Sequence, residues 1–409
     1  MSEVSRYAVG IDVGTENVRA VVLSADDEGK TSVVGFGEAP NAGMRKGVVA
    51  NLAGPAEAID KMLAEVERMS GYEVNSAYVS INGASVMSTR ANGMIAVGPD
   101  NHEINNDDLD RVEDAAVTGR VPANRDVLMV LPLEYALDGQ SGIKDPIGMV
   151  GARLEIKANV ISVLTPNAVN LKKALSEGAN VAVTQLIPSA MASARAVLFE
   201  RQMENGVALI DMGAATTSVA VFEEGDLQYL GVIPMGSNNI TNDLAIVLQI
   251  DTEEAEDIKL RFVSGAFADS DKDIIVKRGR EEIVFSRNEV NDIVQARLGE
   301  IFEDVRKLLK TAHYDRKLPE GVVLVGGGAR MRDIEVFAKE ALEAAVKVGM
   351  PNKLGGVSDT ICKPDYAAAI GLALFAIQEP QSALQNKSKK KHKKTDGKEG
   401  FIKKLFKKF

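Results

Sequence analysis

One signature occurs twice in this chain, and it limits the fold more than any other feature. "GIDVGTENV" and "LIDMGAATTSV" each run an apolar strand into an aspartate and then into a glycine turn. Superposing Asp12 on Asp211 aligns Ile11 with Ile210, Gly14 with Gly213 and Val22 with Val221, at an offset of 199 residues. A repeat at that distance in a 409-residue chain predicts two related halves, each opening on a strand–turn–strand unit. Two unrelated hairpins would give the same short match. The length is too great for one ordinary core and fits two lobes.

Between the repeats the pattern changes. "YAVGIDVGTENVRAVVLS" and "TSVVGFGEA" are β-branched runs broken by turn residues, and they read as strands. Apolar residues at helical spacing predict a helix over Gly54–Met69. Residues 85–165 read as a separate α+β insert, with a polar helix in "NNDDLDRVEDAAVTG" and strands in "DVLMVLPLEYAL" and "GARLEIKANVISVLT". "AVTQLIPSAMASARAVLF" reads as a strand turning into an apolar helix. Arg287–Lys310 is a long amphipathic helix, "GVVLVGGGARMRDIEV" a buried strand, glycine turn and helix, and "DYAAAIGLALFAI" an apolar helix.

The repeated turns carry a chemistry. Gly14 lets the backbone approach a ligand closely. The amides of Gly14, Thr15 and Glu16, with the side chains of Thr15 and Asn17, can cradle phosphate oxygens. In the second copy Gly213 and Ala214 turn, and Thr216 and Thr217 supply hydroxyls. Asp12 and Asp211 can hold Mg²⁺ through its water shell. A single such turn is a weak signal, whereas two facing turns would grip a polyphosphate from both sides. Gly326, Gly327 and Gly328 remove three Cβ atoms in succession, so a phosphate or flat ring can lie on backbone. Glu256 and Lys259 share a helix face and offer an acceptor and a donor for ribose and base, although most such pairs are solvated ion pairs.

In this order these motifs resemble the actin/Hsp70/sugar-kinase ATPase fold, and over nearly the whole chain the sequence resembles the bacterial cell-division FtsA family. The insert, "VGVIPMGSNNITNDLAIVLQIDTEEAEDIK", "FSRNEVNDIVQARLGEIFEDV" and the amphipathic end carry that narrower likeness. The resemblance implies a duplicated α/β, ribonuclease H-like two-lobe fold. Its first lobe would be 1–84 with 166–199 (subdomain 1A), and 85–165 the insert (1C). Residues 200–250 with 314–378 would form the second lobe (2A), and 251–313 subdomain 2B. It further implies ATP and Mg²⁺ as ligands, with Met331 beside the glycines in the adenosine motif. It implies self-assembly into actin-like filaments, contact with later division proteins, and recruitment of the tubulin-like protein FtsZ at the division site. The FtsZ C-terminal peptide would dock on the helix bearing Asn291, Arg297 and Glu300. One departure stands out. Relatives in the wider fold orient the attacking water with Gln or Glu near the start of the connecting helix. Here that stretch is "LIPSAMAS", with Ile187 or Pro188 near the position and Gln185 just before it, which predicts slow or negligible hydrolysis.

Charge separates the body from the end of the chain. The net charge is −10, and Lys387–Phe409 holds eleven lysines against Asp396 and Glu399, or +9, leaving −19 for 1–386. An acidic body argues against nucleic-acid binding. Residues 379–396 read as a disordered linker. In 397–409, Phe401, Ile402, Leu405, Phe406 and Phe409 make one stripe of a helix, with Lys403, Lys404, Lys407 and Lys408 opposite. That is the pattern of a helix lying peripherally in an anionic membrane surface, and the resemblance implies the cytoplasmic side. Burying the stripe is worth roughly 7–15 kcal/mol gross, each lysine adds about 1 kcal/mol, and ordering the segment opposes them by on the order of 10 kcal/mol. One tail should bind weakly and several on one filament firmly.

The remaining signals are bland. A sole cysteine, Cys362, excludes an intrachain disulfide and reads as structural, and His102 and His392 lie in polar stretches. No signal peptide or membrane-spanning run is expected. A small-molecule kinase or a pilus-assembly actin-like binding protein would share the fold. The kinase would need a catalytic carboxylate in the cleft and a sugar-binding insert, and the pilus protein should lack the amphipathic end.

Overall fold

The computed structural model describes residues 6–98, 102–262, 274–278 and 281–378. The linker and amphipathic segment expected over 379–396 and 397–409 lie outside the described residues. In chain order, β1 (Arg6–Val13), β2 (Asn17–Ala25) and β3 (Thr31–Pro40) form an antiparallel meander. Helix α1 (Ala53–Ser70) leads to β4 (Ser76–Ile81), parallel to β1. The chain then leaves the sheet for β5 (Met87–Ala96), α2 (Asn106–Val117), β6 (Arg125–Leu137), β7 (Gln140–Ile143) and β8 (Arg153–Leu164). It returns through α3 (Thr165–Lys173) to β9 (Ala182–Pro188), parallel to β4.

Helices α4 (Ser189–Val197) and α5 (Glu200–Asn205) lead to a second meander, β10 (Val207–Met212), β11 (Thr217–Glu223) and β12 (Asp226–Ile233). Next come α6 (Ser237–Leu248), α7 (Thr252–Phe262), the hairpin β13 (Ile274–Arg278) and β14 (Glu281–Phe285), and α8 (Arg287–Thr311). Strand β15 (Val322–Val325) pairs parallel with β10, α9 (Ile334–Leu342) follows, β16 (Val346–Val348) pairs parallel with β15, and α10 (Ala367–Gln378) closes the described chain.

The two sheets are copies in topology. The first runs β9-β4-β1-β2-β3 and the second β16-β15-β10-β11-β12, with the same parallel and antiparallel pairs. The duplication inferred from two short motifs thus extends over five strands in each half. Central strands such as β10 are buried along their whole length, which a sequence apolar at every position but Asp211 allows. Helix α1 turns Ile59, Met62, Leu63 and Val66 inward at helical spacing and stops at Gly71, whose φ of 68° suits glycine.

Helix α10 is apolar on nearly all sides because it is enclosed by β1, β2, β4 and α4. Its side chains join the core of the first sheet, and Gly355–Gly356 pairs with β3. The end of the 314–378 segment assigned to the second lobe therefore packs on the first, since an all-apolar helix needs covered surface on every face.

The insert forms its own antiparallel sheet, β5-β8-β6-β7, with α2 across it and a separate small core. It also leans on the second lobe: Ser88 Oγ donates to Leu230 O at 3.0 Å and Asn159 Nδ2 to Leu227 O at 2.7 Å. Among the described residues no helix is long and apolar enough to cross a membrane.

Candidate functional site

Strands β1 and β10 both end on one cavity of about 260 Å³ between the sheets, and Asp12 and Asp211 stand at those ends. Beyond each aspartate the chain makes the same turn: Gly14 N donates to Asn17 O at 3.0 Å, and Gly213 N to Thr216 O at 2.9 Å. A Cβ on Gly14 would lie 2.6 Å from Asn17 O, so the turn admits only glycine. Asn41 Nδ2 braces the first turn through Gly14 O, and the first amides of α6 brace the second through Gly213 O and Ala214 O.

The triglycine turn follows β15, the strand beside β10. Gly326 has φ +85°, and a Cβ there would meet Asp211 Oδ1 at 2.5 Å. A Cβ on Gly327 would meet nothing within 4 Å, so this glycine leaves open space at the cavity wall.

Electrostatics single out the aspartates. Burial raises the pKa of Asp12, against a hydrogen bond from Ser80 and the charge of Arg19. Burial and then the charge of Asp12 push Asp211 up to about 6, opposed by the hydroxyls of Ser193 and Ser189. Two buried carboxylates, both with raised proton affinity and one raised further by the charge of the other, are suited to a divalent cation, which would relieve both.

At the other end of the cavity, Lys259 Nζ lies 2.6 Å from Glu256 Oε2 and donates to Thr241 Oγ1 at 2.9 Å. Its side chain is only 5% exposed, and burial lowers its pKa against the pull of Glu256. This is not a solvated surface pair. Leu260, largely exposed, adds an apolar wall at the same end.

Of the residues expected at the site, Asp12, Gly14, Thr15, Asn17, Asp211, Gly213, Ala214, Thr216, Glu256, Lys259, Gly326, Gly327, Gly328 and Met331 line this one cavity. Thr217 does not. As the first residue of β11 it points opposite to Thr216, is fully buried, and donates to Met235 O at 2.9 Å.

The partner residues also differ from expectation. Asn291 is buried on the inner face of α8 beside Val290 and Val294. Arg297 forks onto Asp243, at 2.6 and 3.0 Å, and reaches Glu300 at 2.6 Å. Its charge is already met by two carboxylates of the same molecule. His102 is half-buried, and its Nε2 lies 2.9 Å from Asp108 Oδ2. Cys362 is free, with Sγ 3.4 Å from Pro351 O.

Several lining residues were not picked out from the sequence. Ser189 and Ser193 project from α4 toward Asp211, and Ser193 Oγ donates to Asp211 Oδ2 at 3.2 Å. Asn82 Oδ1 accepts from Ser218 Oγ at 3.0 Å, and Asn238 Nδ2 donates to Glu16 Oε2 at 2.8 Å; both bonds join the two halves. Asp365 is held between Arg19 at 3.3 Å and Arg330 at 3.1 Å. Gln185 stays outside the cavity, with its amide near Leu128 O at 3.4 Å. A serine at the start of the connecting helix, one helical turn before another, would have been a usable clue.

Duplicated sheets with a cavity walled by paired Asp-x-Gly turns define the actin-like two-lobe class. Solved structures share this architecture: the PilM-PilN type IV pilus biogenesis complex (TM-score 0.67, 17% identity, 91% of this chain and 99% of that one) and MreB5 of Spiroplasma citri bound to ADP (TM-score 0.55, 14% identity, 94% and 99%). Within that class, the family model "Cell division protein FtsA" matches residues 208–371 and "SHS2 domain inserted in FTSA" matches 83–162. The cell-division protein FtsA of Pseudomonas aeruginosa is 33% identical over 93% of this chain and 91% of its own length. That of Borreliella burgdorferi is 32% identical over 97% and 98%. The chain belongs to the FtsA family of cell-division proteins.

Proposed function

We propose that this protein binds ATP with Mg²⁺ in the cleft, assembles on the cytoplasmic face of the membrane, and tethers FtsZ filaments there while recruiting later division proteins. The observation that carries the nucleotide part is the convergence of Asp12, Asp211, both glycine turns and the triglycine turn on one cavity wall. The residues fit the ligand. The turns offer backbone amides to phosphate, the aspartates offer acid oxygens to hydrated Mg²⁺, and Glu256 with Lys259 offers an acceptor and a donor to the nucleoside. Bound Mg²⁺ would supply neutralisation of phosphate charge, while the protein's own residues position and enclose the nucleotide.

Hydrolysis is expected to be slow. The helix starting at Ser189 brings two hydroxyls to Asp211, and neither is a strong base. The carboxylate of Asp365 is neutralised by two arginines, which disfavours a kinase that needs a free base in the cleft.

The membrane part rests on the sequence of 397–409, and assembly and FtsZ binding rest on membership of the family. With Arg297 forked onto Asp243, an acidic peptide would have to compete for that arginine or use neighbouring groups of α8. Co-sedimentation of the full chain with phosphatidylglycerol vesicles, with and without Mg-ATP and FtsZ tail peptide, tests the whole reading. Truncation after residue 396 is expected to abolish sedimentation, and retention of the truncated protein on the vesicles would overturn the tether.

A further inference from the structure

The hydrogen bonds that Asn82 and Glu16 make across the cleft differ in their surroundings. Asn82 Oδ1 accepts from Ser218 Oγ at 3.0 Å, and Ser218 is buried. Asn238 Nδ2 donates to Glu16 Oε2 at 2.8 Å, and there Glu16 is exposed and Asn238 half-buried. Water can replace the second bond, so it breaks and re-forms at small cost, whereas breaking the first strands a buried hydroxyl. Both ends of the wet bond sit on braced backbone. Glu16 O accepts from Asn41 N at 2.8 Å while Asn41 Nδ2 donates to Gly14 O at 2.7 Å, so Asn41 holds the first glycine turn on both sides. Ser237 N donates to Gly213 O at 2.9 Å and Asn238 N to Ala214 O at 2.8 Å, so the start of α6 is fixed on the second turn. The Glu16 carboxylate and the Asn238 amide are the parts free to move, and their bond runs from one glycine turn to the other. Both residues line the cavity together with Asp211, Ser189 and Ser193, which are buried, so the bond stands at the solvent end. The charge of Glu16 also acts on Lys259, at the nucleoside end.

We propose that the Glu16–Asn238 bond is a clasp across the cleft, which opens for a nucleotide to pass and re-forms over it. A polyphosphate held between the two turns lies behind this bond, and one that enters or leaves has to pass it. The clasp sets the rate of exchange and leaves affinity nearly alone, because the same bond is present before entry and after closure, and its loss lowers the barrier in both directions. The Asn82–Ser218 bond holds while the clasp opens, so the rim parts without separating the lobes. Anything that draws the two glycine turns apart at the rim releases the clasp and speeds exchange.

This rests on the nucleotide reading of the cleft and adds its kinetic control. The test is stopped-flow binding and chase of N-methylanthraniloyl-ATP with Mg²⁺ on the full chain. Asn238→Ala should raise the association and dissociation rates together, several-fold each, with Kd little changed. Asn238→Asp sets two carboxylates face to face and should also speed dissociation. Adding Glu16→Gln to Asn238→Asp places a donor opposite an acceptor again, with the bond reversed and the parent's total charge kept. Exchange in that swapped pair should return toward the parent rate. Both substitutions preserve side-chain size, which guards against a folding defect. A rise in Kd carried by dissociation alone would make Asn238 a binding contact and overturn the clasp. Parent-like rates in Asn238→Ala would overturn it too, as would a swapped pair as fast as Asn238→Asp. If the parent itself fails to bind the Mg²⁺ complex at any concentration, the nucleotide reading falls and the clasp with it, an outcome distinct from a parent that binds and variants that match it.

Discussion

Gly371 of α10 packs directly on the carbonyl of Ala192 in α4: a Cβ at Gly371 would lie 1.7 Å from that oxygen. These two helices pack against each other between the sheets, so their spacing bears on how the lobes meet over the cavity.

Gly371→Ala must push the helices apart. The expected loss is at the upper end of the about 1–3 kcal/mol typical of overpacking, read by urea denaturation, with weakened nucleotide binding. Gly299→Ala on α8 is the contrasting control, because its Cβ would meet nothing within 4 Å. It should stabilise by about 0.5–1 kcal/mol. Equal effects of the two would contradict the packing described here.

Asp211→Asn separates stability from binding. The folded-state pKa of Asp211 is raised from 3.8 to about 6 by burial and the charge of Asp12. The folded chain therefore holds a proton that the unfolded chain releases between about pH 4 and 6. Stability from this group falls as pH rises through that window and stays low above it. The neutral variant should be more stable than the parent at pH 7.5 without nucleotide, by up to about 3 kcal/mol, and the gain should vanish near pH 4. Mg-ATP affinity should be lost in the variant, and in the parent it should decline below about pH 6. Thermal melts and calorimetry at both pH values check this.

Glu256→Ala leaves the Lys259 ammonium buried at 5% exposure with only hydroxyl and carbonyl partners. Because Glu256 itself is 38% exposed, the expected cost is about 1–2 kcal/mol, less than for a fully buried pair. Adding Lys259→Met should recover part of that stability while nucleotide affinity stays low. A double variant that binds nucleotide like the parent would remove this pair from the site.

Thr216→Val and Thr217→Val differ by one position and should differ in kind. The first removes a hydroxyl from the cavity wall and should weaken nucleotide binding with little change in melting temperature. The second breaks the bond to Met235 O inside the fold, costing about 1 kcal/mol of stability, and should leave affinity unchanged.

Much of the site was legible because its chemistry is local. An Asp-x-Gly turn needs its aspartate, its glycine and its hydroxyls within a few residues, and three successive glycines have few other uses. Ser189, Ser193, Asn82 and Asp365 were not legible, because each acts on a residue from another element: Ser193 on Asp211, Asn82 on Ser218, Asp365 on Arg19 and Arg330. Thr217 was misplaced because composition does not say at which residue a strand begins, and a one-residue shift reverses the face. The partner helix misled for a related reason. Helical spacing put Asn291, Arg297 and Glu300 on one element, but the carboxylate that claims Arg297 is Asp243 of α6.

By itself, then, the amino-acid order determined the duplication, the insert and the glycine turns, all of which are patterns of backbone conformation and apolar spacing within short windows. Tertiary structure decided which charges meet and which faces are covered: that Asp12 raises Asp211, that Lys259 is buried, and that α10 closes the first lobe. Coulomb and desolvation energies depend on distance and burial through space, and neither is written along the chain.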